Sequence, residues 1–496
     1  DEIGCACLDE FLADLSMSVL RVLSQLFGPA AGASPPERAS SALSSLARQL
    51  KSVAASTHVA PILMEARAQG IPVVRVVEQL PVYQLGHGAR RRLLWRGFTS
   101  RTPHASTILS THKHLAMQLF RQHGFPVPDG RVVDGEEDAC ATAAKIGFPV
   151  VVKPTSKDMG VGVVADIRDQ ERLRAAYRKA KQHGAVLVEK HVAGEKYRLL
   201  VLNGHCRGGY RTVPAHVIGD GERSISQLID DGAPARAAAA AAGSVQGSFE
   251  IDGQYLGQQG FGPDSVPSAG QMVLLSSIAQ ANAGGKREVI DLSGVHPDNL
   301  RMAEEAAELF GIDLAGVDLI TTDISRPPGE AGAVINEINV TPALPFSEAP
   351  KWILDDLFPG DGGGRIRISV LIGELSEAEE SRTLQRFFAG EASAGRGCLL
   401  NRRLYLDGRR NWRGRTDTPR QVRTLLAGRG LSEALVHLPL EEFRRHGLPA
   451  HYLSALMVNL PGEHAEEVLG DPSVAGLCAR WGVVPVRGFD LEAWLS

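Results

Sequence analysis

At 496 residues, 44% apolar and 22% charged, the chain is long enough for about three domains with ample cores. A net charge of -4 argues against a broad nucleic-acid-binding face. Six cysteines, Cys5, Cys7, Cys140, Cys206, Cys398 and Cys478, are scattered without a CxxC pair, which fits reduced thiols in a cytoplasm and not a disulfide scaffold.

Residues 8–27 begin the pattern, with Leu8, Phe11, Leu12, Leu15, Val19, Val22, Leu23 and Leu26 at helical spacing. Acidic residues lead this helix, so a secretory signal is not expected, and its polar positions are too many to span a bilayer. Packing in a core or an oligomer interface is expected ahead of membrane-surface binding. Cys5 and Cys7 at its start are two thiols without further ligands. Residues 28–41, rich in Ala, Gly, Ser and Pro, form a linker. Ala89-Arg90-Arg91-Arg92 is a local basic cluster, solvated or facing phosphate.

Ser110-Thr111-His112-Lys113 opens an amphipathic helix through Leu115 and Leu119, from which Lys113 can reach phosphates. Val150-Val151-Val152-Lys153-Pro154 is a strand ending in a lysine. A polar turn from Thr155 to Val163 follows, where Gly160 and Gly162 let the backbone approach phosphates. After a helix near residues 170–181, the strand at 185–192 ends in Glu189-Lys190-His191-Val192, placed as an adenine-reading hinge. Glu195 follows Gly194 at a distance suited to a ribose hydroxyl pair.

Val317-Asp318-Leu319-Ile320 and Val334-Ile335-Asn336-Glu337-Ile338-Asn339-Val340 then give two β-branched runs bearing hard oxygen donors. Strand side chains alternate faces, so Glu337 and Asn339 point the same way. With Asp318 on the neighbouring strand they are candidate Mg²⁺ ligands beside the phosphates of ATP; a polar strand edge is the competing reading. No GxxxxGK[ST] phosphate loop occurs anywhere in the chain.

This ordered set resembles the ATP-grasp fold, in which two α+β lobes close on ATP. Gln84-Leu85-Gly86-His87-Gly88, Thr99-Ser100-Arg101-Thr102-Pro103-His104, Tyr197 to Gly204, Val213 to Gly221 and Asp264-Ser265-Val266-Pro267 resemble, more closely, the cyanophycin synthetase family over roughly residues 80–350. Ala281-Asn282-Ala283-Gly284-Gly285-Lys286 is similar to that family's loop at the acyl phosphate, which implies roles for Asn282, Gly284 and Gly285; a structural turn is the alternative. Arg198 and Arg211 are candidates to fix a substrate carboxylate or an oxyanion, against a reading as surface ion pairs. His216 lies in a family-like Pro-Ala-His stretch.

Arg365 to Gly373, Tyr405 to Arg410 and Gln421 to Leu426 look like parts of the Mur-ligase-like domain that follows ATP-grasp in this family. Where that domain carries glycine, lysine and threonine, this chain has Gly373-Glu374-Leu375-Ser376-Glu377-Ala378-Glu379-Glu380, whose carboxylates repel a triphosphate. The segment stops short of a complete Mur ligase and is expected to have no ATP site of its own. The resemblance then runs to the shorter type-2 enzymes, in which one ATP-grasp site joins β-aspartyl-arginine dipeptides. Two departures touch the substrate: residues 233–242 are mostly alanine where the family is charged, and Ala343-Leu344-Pro345-Phe346 follows Pro342 where the family has glycine and polar residues.

The expected organisation is an α+β chain. It comprises residues 1–100 as a small α/β domain with a leading helix, 101–362 as an ATP-grasp domain, and 363–496 as a truncated Mur-ligase-like α/β domain. The resemblance implies ATP and Mg²⁺ as cofactors, amino acids, dipeptides or a growing peptide as substrates, and a cytoplasmic homo-oligomer with no nucleic-acid or membrane partner. Two further readings stay open: an ATP-grasp ligase making a small soluble peptide or modified amino acid, and a non-catalytic ATP-binding regulator.

Overall fold

The computed structural model describes residues 59–77, 80–155, 161–231, 253–276, 285–360, 362–389, 394–410 and 417–488. The expected helix at 8–27, the linker, Cys5, Cys7, Gly160, the alanine-rich 233–242 stretch, Asn282 and Gly284 lie outside those residues. The chain divides into two compact units, one of residues 97–349 and one of residues 1–96 with 350–496. In this division the segment before residue 97 and the segment after residue 349 share one unit.

The 97–349 unit holds two antiparallel sheets. In the first, the strands run in the order Gly130–Val133, Val186–Lys190, Val150–Pro154, Val164–Ile167. Alternation decides its faces. Val150, Val152, Val186 and Val188 are buried beneath the helices Glu136–Ile146 and Gln170–Lys181, and Val151, Lys153 and Glu189 are sent to the opposite face. The second helix starts where the Asp169 side chain accepts from the Arg172 N–H, and it packs through Leu173, Ala176, Tyr177 and Ala180, a 3–4 spacing.

The second sheet has five strands in the order Lys286–Ile290, His205–Val213, Glu195–Leu202, Leu314–Thr321, Val334–Asn339. One face packs Leu199, Val201, Ala315, Val317, Leu319, Ile335 and Ile338 against the helices Lys113–Gln122 and Pro297–Phe310. The latter helix has Pro at its first position, a His296 cap accepting from the Asp298 N–H, and Gly311 at φ +63° where it ends. Between the strands His205–Val213 and Lys286–Ile290 the chain builds a small module. There His216–Ile218 pairs with Met272–Leu274, and Ala215, Ile225, Leu256 and Leu275 form a separate core.

The other unit is built on a seven-stranded sheet in the order Arg409–Arg410, Arg403–Leu406, Arg396–Leu400, Glu433–Leu438, Arg367–Gly373, Ala455–Asn459, Val486–Arg487. The last five run parallel. The middle strand of these five, Arg367–Gly373, is buried over six of seven residues, as a strand covered on both faces must be. A meander of Val73–Val77, Leu80–Leu85 and Arg92–Trp95 joins the same unit. Its Gly88, at φ +56°, sits so close that an added Cβ would lie 2.1 Å from the Leu431 carbonyl oxygen, and the next N–H, Ala89, donates to that oxygen at 2.7 Å.

Candidate active site

A cavity of about 500 Å³ opens between the two sheets of the 97–349 unit. Strand periodicity selects its walls. Val151, Lys153 and Glu189 come from the first sheet, Lys196, Thr212, Ile320, Asn336 and Glu337 from the second, Lys113 from its helix, and Tyr255, Met272 and Leu274 from the small module. Lys153 and Glu189 form a buried ion pair at 2.6 Å. Lys113 Nζ donates to Glu337 Oε1 at 2.5 Å, and its backbone N–H donates to the Thr155 carbonyl, which ties the helix start to the end of the lysine-bearing strand.

Asp318 is fully buried between Lys196, whose Nζ is 2.7 Å from Oδ2, and Arg198, which forks onto both oxygens with NH2 at 2.8 Å. Burial alone would push this carboxyl up; the Arg198 guanidinium and Lys196 ammonium outweigh it and hold Asp318 below the usual carboxylate range. Glu337 pairs with Asp318 in the sheet register. Burial and the Asp318 charge work to raise Glu337, yet Lys113, with Lys196 and Arg198, keeps it low as well. Both carboxylates are therefore ionised at neutral pH.

The register slips between Asp318 and Leu319, which face Glu337 and Ile335, so Asn336 is an extra residue on its strand. Ile335 and Ile338, three apart, both enter the core, and Asn336 and Glu337 both turn to the cavity. Simple alternation would have sent Asn336 inward. Glu337 and Asn339 still flank Ile338 and share a face. The Asn339 side-chain nitrogen is buried with no hydrogen-bond partner among the described residues. Three oxygen donors on one face of two paired strands suit a hard cation such as Mg²⁺.

At the hinge, the Lys190 N–H donates to the Asp129 carbonyl and the His191 N–H to that of Pro149, while Lys190 Nζ holds the Gly147 and Phe148 carbonyls. Lys190, Val192 and Glu195 all line the cavity. Glu195 accepts from Tyr197 Oη at 2.5 Å and from Arg211 NH1 at 2.6 Å; Arg211 also donates to Glu288 at 2.6 Å. Burial, then Glu195, pushes the Tyr197 hydroxyl well above its usual range, so it stays a donor.

The structure thus gathers Lys113, Lys153, Glu189, Lys190, Val192, Glu195, Arg211 and Glu337 at one cavity, with Asp318, Arg198 and Asn339 on the sheet face beside it. Both arginines are engaged by protein carboxylates. Gly162, at φ +72°, lies against Pro154 and His183, and Gly285 precedes the Lys286–Ile290 strand; neither lines the cavity. His216 Nδ1 is satisfied by the Pro214 carbonyl at 2.9 Å. Lys196 and Asn336 escaped the sequence reading. Residues 196 and 198 share a strand face, and the three-residue gap between Ile335 and Ile338 signals a bulge; both signals are in the sequence.

Residues 104–194 match the family model of an ATP-grasp domain. The cyanophycin synthetase of Trichormus variabilis is 31% identical over 341 residues, 66% of this chain and 38% of that protein. The cyanophycin synthetase of Geminocystis herdmanii is 31% identical over 360 residues, 68% and 41% of the two chains. This chain therefore spans about two fifths of the length of these curated relatives. A crystal structure of a bifunctional glutathione synthetase from Pasteurella multocida aligns with a TM-score of 0.45 at 22% identity, over 69% of this chain and 49% of that one. The chain carries an ATP-grasp domain and is a homologue of the cyanophycin synthetases across about two thirds of its length.

Proposed function

We propose that the chain is an ATP-dependent carboxylate–amine ligase that forms peptide bonds and releases ADP, with β-aspartyl-arginine dipeptides as its substrates. The observation that carries this reading is the meeting of Lys113, Lys196, Arg198, Asp318 and Glu337 beside one cavity. A carboxylate does not acylate an amine in water. The γ-phosphoryl group of ATP is first transferred to a carboxylate oxygen, ADP leaves, and the amine then attacks the acyl carbon while phosphate departs and a proton is lost to solvent. Most of the rate in such chemistry comes from positioning and electrostatics.

Asp318, Glu337 and Asn339 are the residues that would hold Mg²⁺, which supplies charge neutralisation of the phosphates when bound. Lys113 and Lys153, on opposite walls, hold phosphate oxygens. Val151, Ala165 and Ile320 give the base an apolar slot, the hinge at Lys190–Val192 reads its edge, and Glu195 accepts from the ribose hydroxyls. Arg211, at the mouth, can exchange Glu288 for a substrate carboxylate. In the other unit, the helix Glu377–Phe387 begins with a capping box in which Ser376 and Glu379 satisfy each other's backbone. Two amides at its start, those of Ser376 and Glu379, are already engaged where a phosphate would dock, which supports a reading of that unit as lacking an ATP site.

Purified protein given Mg²⁺, ATP and a panel of amino acids and dipeptides is expected to release ADP and yield amide-linked product, read by a coupled assay and mass spectrometry. Insoluble product from β-aspartyl-arginine supports polymerisation, and soluble product points to a small-peptide ligase. No ADP release across the panel refutes the ligase reading and leaves a nucleotide-binding regulator. Glu337→Gln should lower turnover by at least about 100-fold, the scale at which lost electrostatic stabilisation acts.

A further inference from the structure

The basic run Ala89-Arg90-Arg91-Arg92 has no part in the mechanism above, and its arginines differ in what they touch. Arg91 donates to the Ala427 carbonyl at 2.8 Å and Arg92 to that of Arg91 at 3.0 Å, whereas the Arg90 side chain is exposed and meets no carboxylate among the described residues. Arg90 opens instead on a pocket of about 380 Å³ inside the unit that holds residues 59–96 and 350–488. Its walls include Arg365, Arg367, Gly362 and Tyr452 and, among the described residues, no acidic side chain. Arg365 is fixed in place: NH1 lies 3.2 Å from the Gly70 carbonyl oxygen, and the guanidinium stands 4.6 Å and 5.4 Å from the ring centroids of Trp481 and Tyr452. Arg367 is 77% exposed and 3.8 Å from Glu433, a carboxylate that Arg396 already engages at 2.9 Å. Glycine occupies the loop where these groups press on it. An added Cβ on Gly362 would stand 1.7 Å from Arg90 NH1, and one on Gly363 2.8 Å from Arg365 NH1, so bare backbone lets both guanidinia come up against the chain.

Three guanidinia around one concave space repel one another, and an anion bound among them removes that cost. Each guanidinium presents a planar fork of donors that matches the paired oxygens of a phosphate or a carboxylate. The pocket lies where the parallel strands begin: Arg367 and Glu433 open neighbouring strands in register, and Tyr452 comes three residues before the Ala455–Asn459 strand. Gly373 and the acidic residues after it stand at the other end of the Arg367–Gly373 strand. The arginine pocket is therefore no vestige of a phosphate loop at the carboxyl edge of the sheet. We propose that it binds a small molecule carrying two or more phosphate or carboxylate groups, held by Arg90, Arg365 and Arg367. This inference does not rest on the ligase reading, since none of these residues lines the cavity of the 97–349 unit.

Hydrogen exchange of the full chain in magnesium-free buffer, titrated with inorganic triphosphate and separately with citrate, tests it and locates the binding. Protection is expected to grow at residues 88–92 and 362–368 with at least one probe, triphosphate binding the tighter if the natural groups are phosphates and citrate if they are carboxylates. Arg90→Gln combined with Arg367→Gln removes two exposed side chains and should weaken that binding at least about tenfold, the scale of one lost charge-assisted hydrogen bond. Protection by neither probe, protection confined to the strands of the 97–349 unit, or equal affinity in the double variant overturns the inference. Should the double variant fail to fold, Arg90→Gln alone replaces it, and the map of protection in the unaltered protein is decisive against the proposal by itself.

Discussion

Lys153 and Glu189 bury their side chains to 9% and 5% exposure, on strands that are neighbours in the sheet, with Val151 opposite Glu189. Two charges withdrawn this far from water are tolerable together and costly apart. Lys153→Met leaves the Glu189 carboxylate without its partner and should destabilise the 97–349 unit by about 3–5 kcal/mol, whereas Lys153→Met with Glu189→Leu should recover most of that loss. Hydrogen exchange of the Val186–Lys190 strand measures both. A single variant as protected as the original would mean that the pair is solvated and contributes little. The double variant, although stable, should lose nucleotide affinity, because both groups line the cavity. Stability and binding thereby separate at one pair of residues.

The strands at the cavity are set by two local irregularities. One is Gly194, at φ +135°, where an added Cβ would stand 2.3 Å from the Thr321 carbonyl oxygen. Only glycine lets the hinge enter the Glu195–Leu202 strand beside the end of Leu314–Thr321. Gly194→Ala should displace Glu195 and Lys196 together and raise the KM for ATP at least about tenfold, by the usual cost of a misplaced binding group; an unchanged KM would show that the hinge has slack. The other is the bulge at Asn336. Element type and the cavity-facing side of Lys153, Glu189 and Glu337 were legible in the sequence, because period-two alternation decides which face a strand residue takes, and Lys113 was legible as the start of an amphipathic helix. The partners of the charges were not. That Arg198 forks onto Asp318, and Arg211 onto Glu195 and Glu288, follows from strand pairing at separations of 120, 16 and 77 residues, which no local pattern encodes. Nor does any local pattern bring residues 59–96 into one unit with 350–488, since that depends on contacts such as Ala89 with Leu431.

Across the molecule, acid should act on the unit that holds no part of the cavity. His87 is 4% exposed, its Nδ1 has no partner among the described residues, and burial, aided by His451, pushes it down to about 4. His437, in the same unit, is locked as one neutral tautomer: Nε2–H donates to the Gly373 carbonyl at 2.8 Å and Nδ1 accepts from the Asn401 N–H at 3.2 Å. Protonation would set a second N–H against that amide, and burial lowers this histidine too. Both groups are neutral in the folded state at pH values where the unfolded chain already binds protons, so their stabilising contribution is complete above about pH 6.5 and falls as pH drops toward 4. For His87 the depression amounts to roughly 3 kcal/mol at the lower end. Hydrogen exchange of the Arg367–Gly373 strand, corrected for intrinsic rates, should therefore lose protection between pH 7 and pH 4.5, and His87→Asn should flatten that slope whatever it does to stability at pH 7. A slope unchanged by the substitution would mean that His87 takes up its proton in the folded state and that the acid sensitivity lies elsewhere.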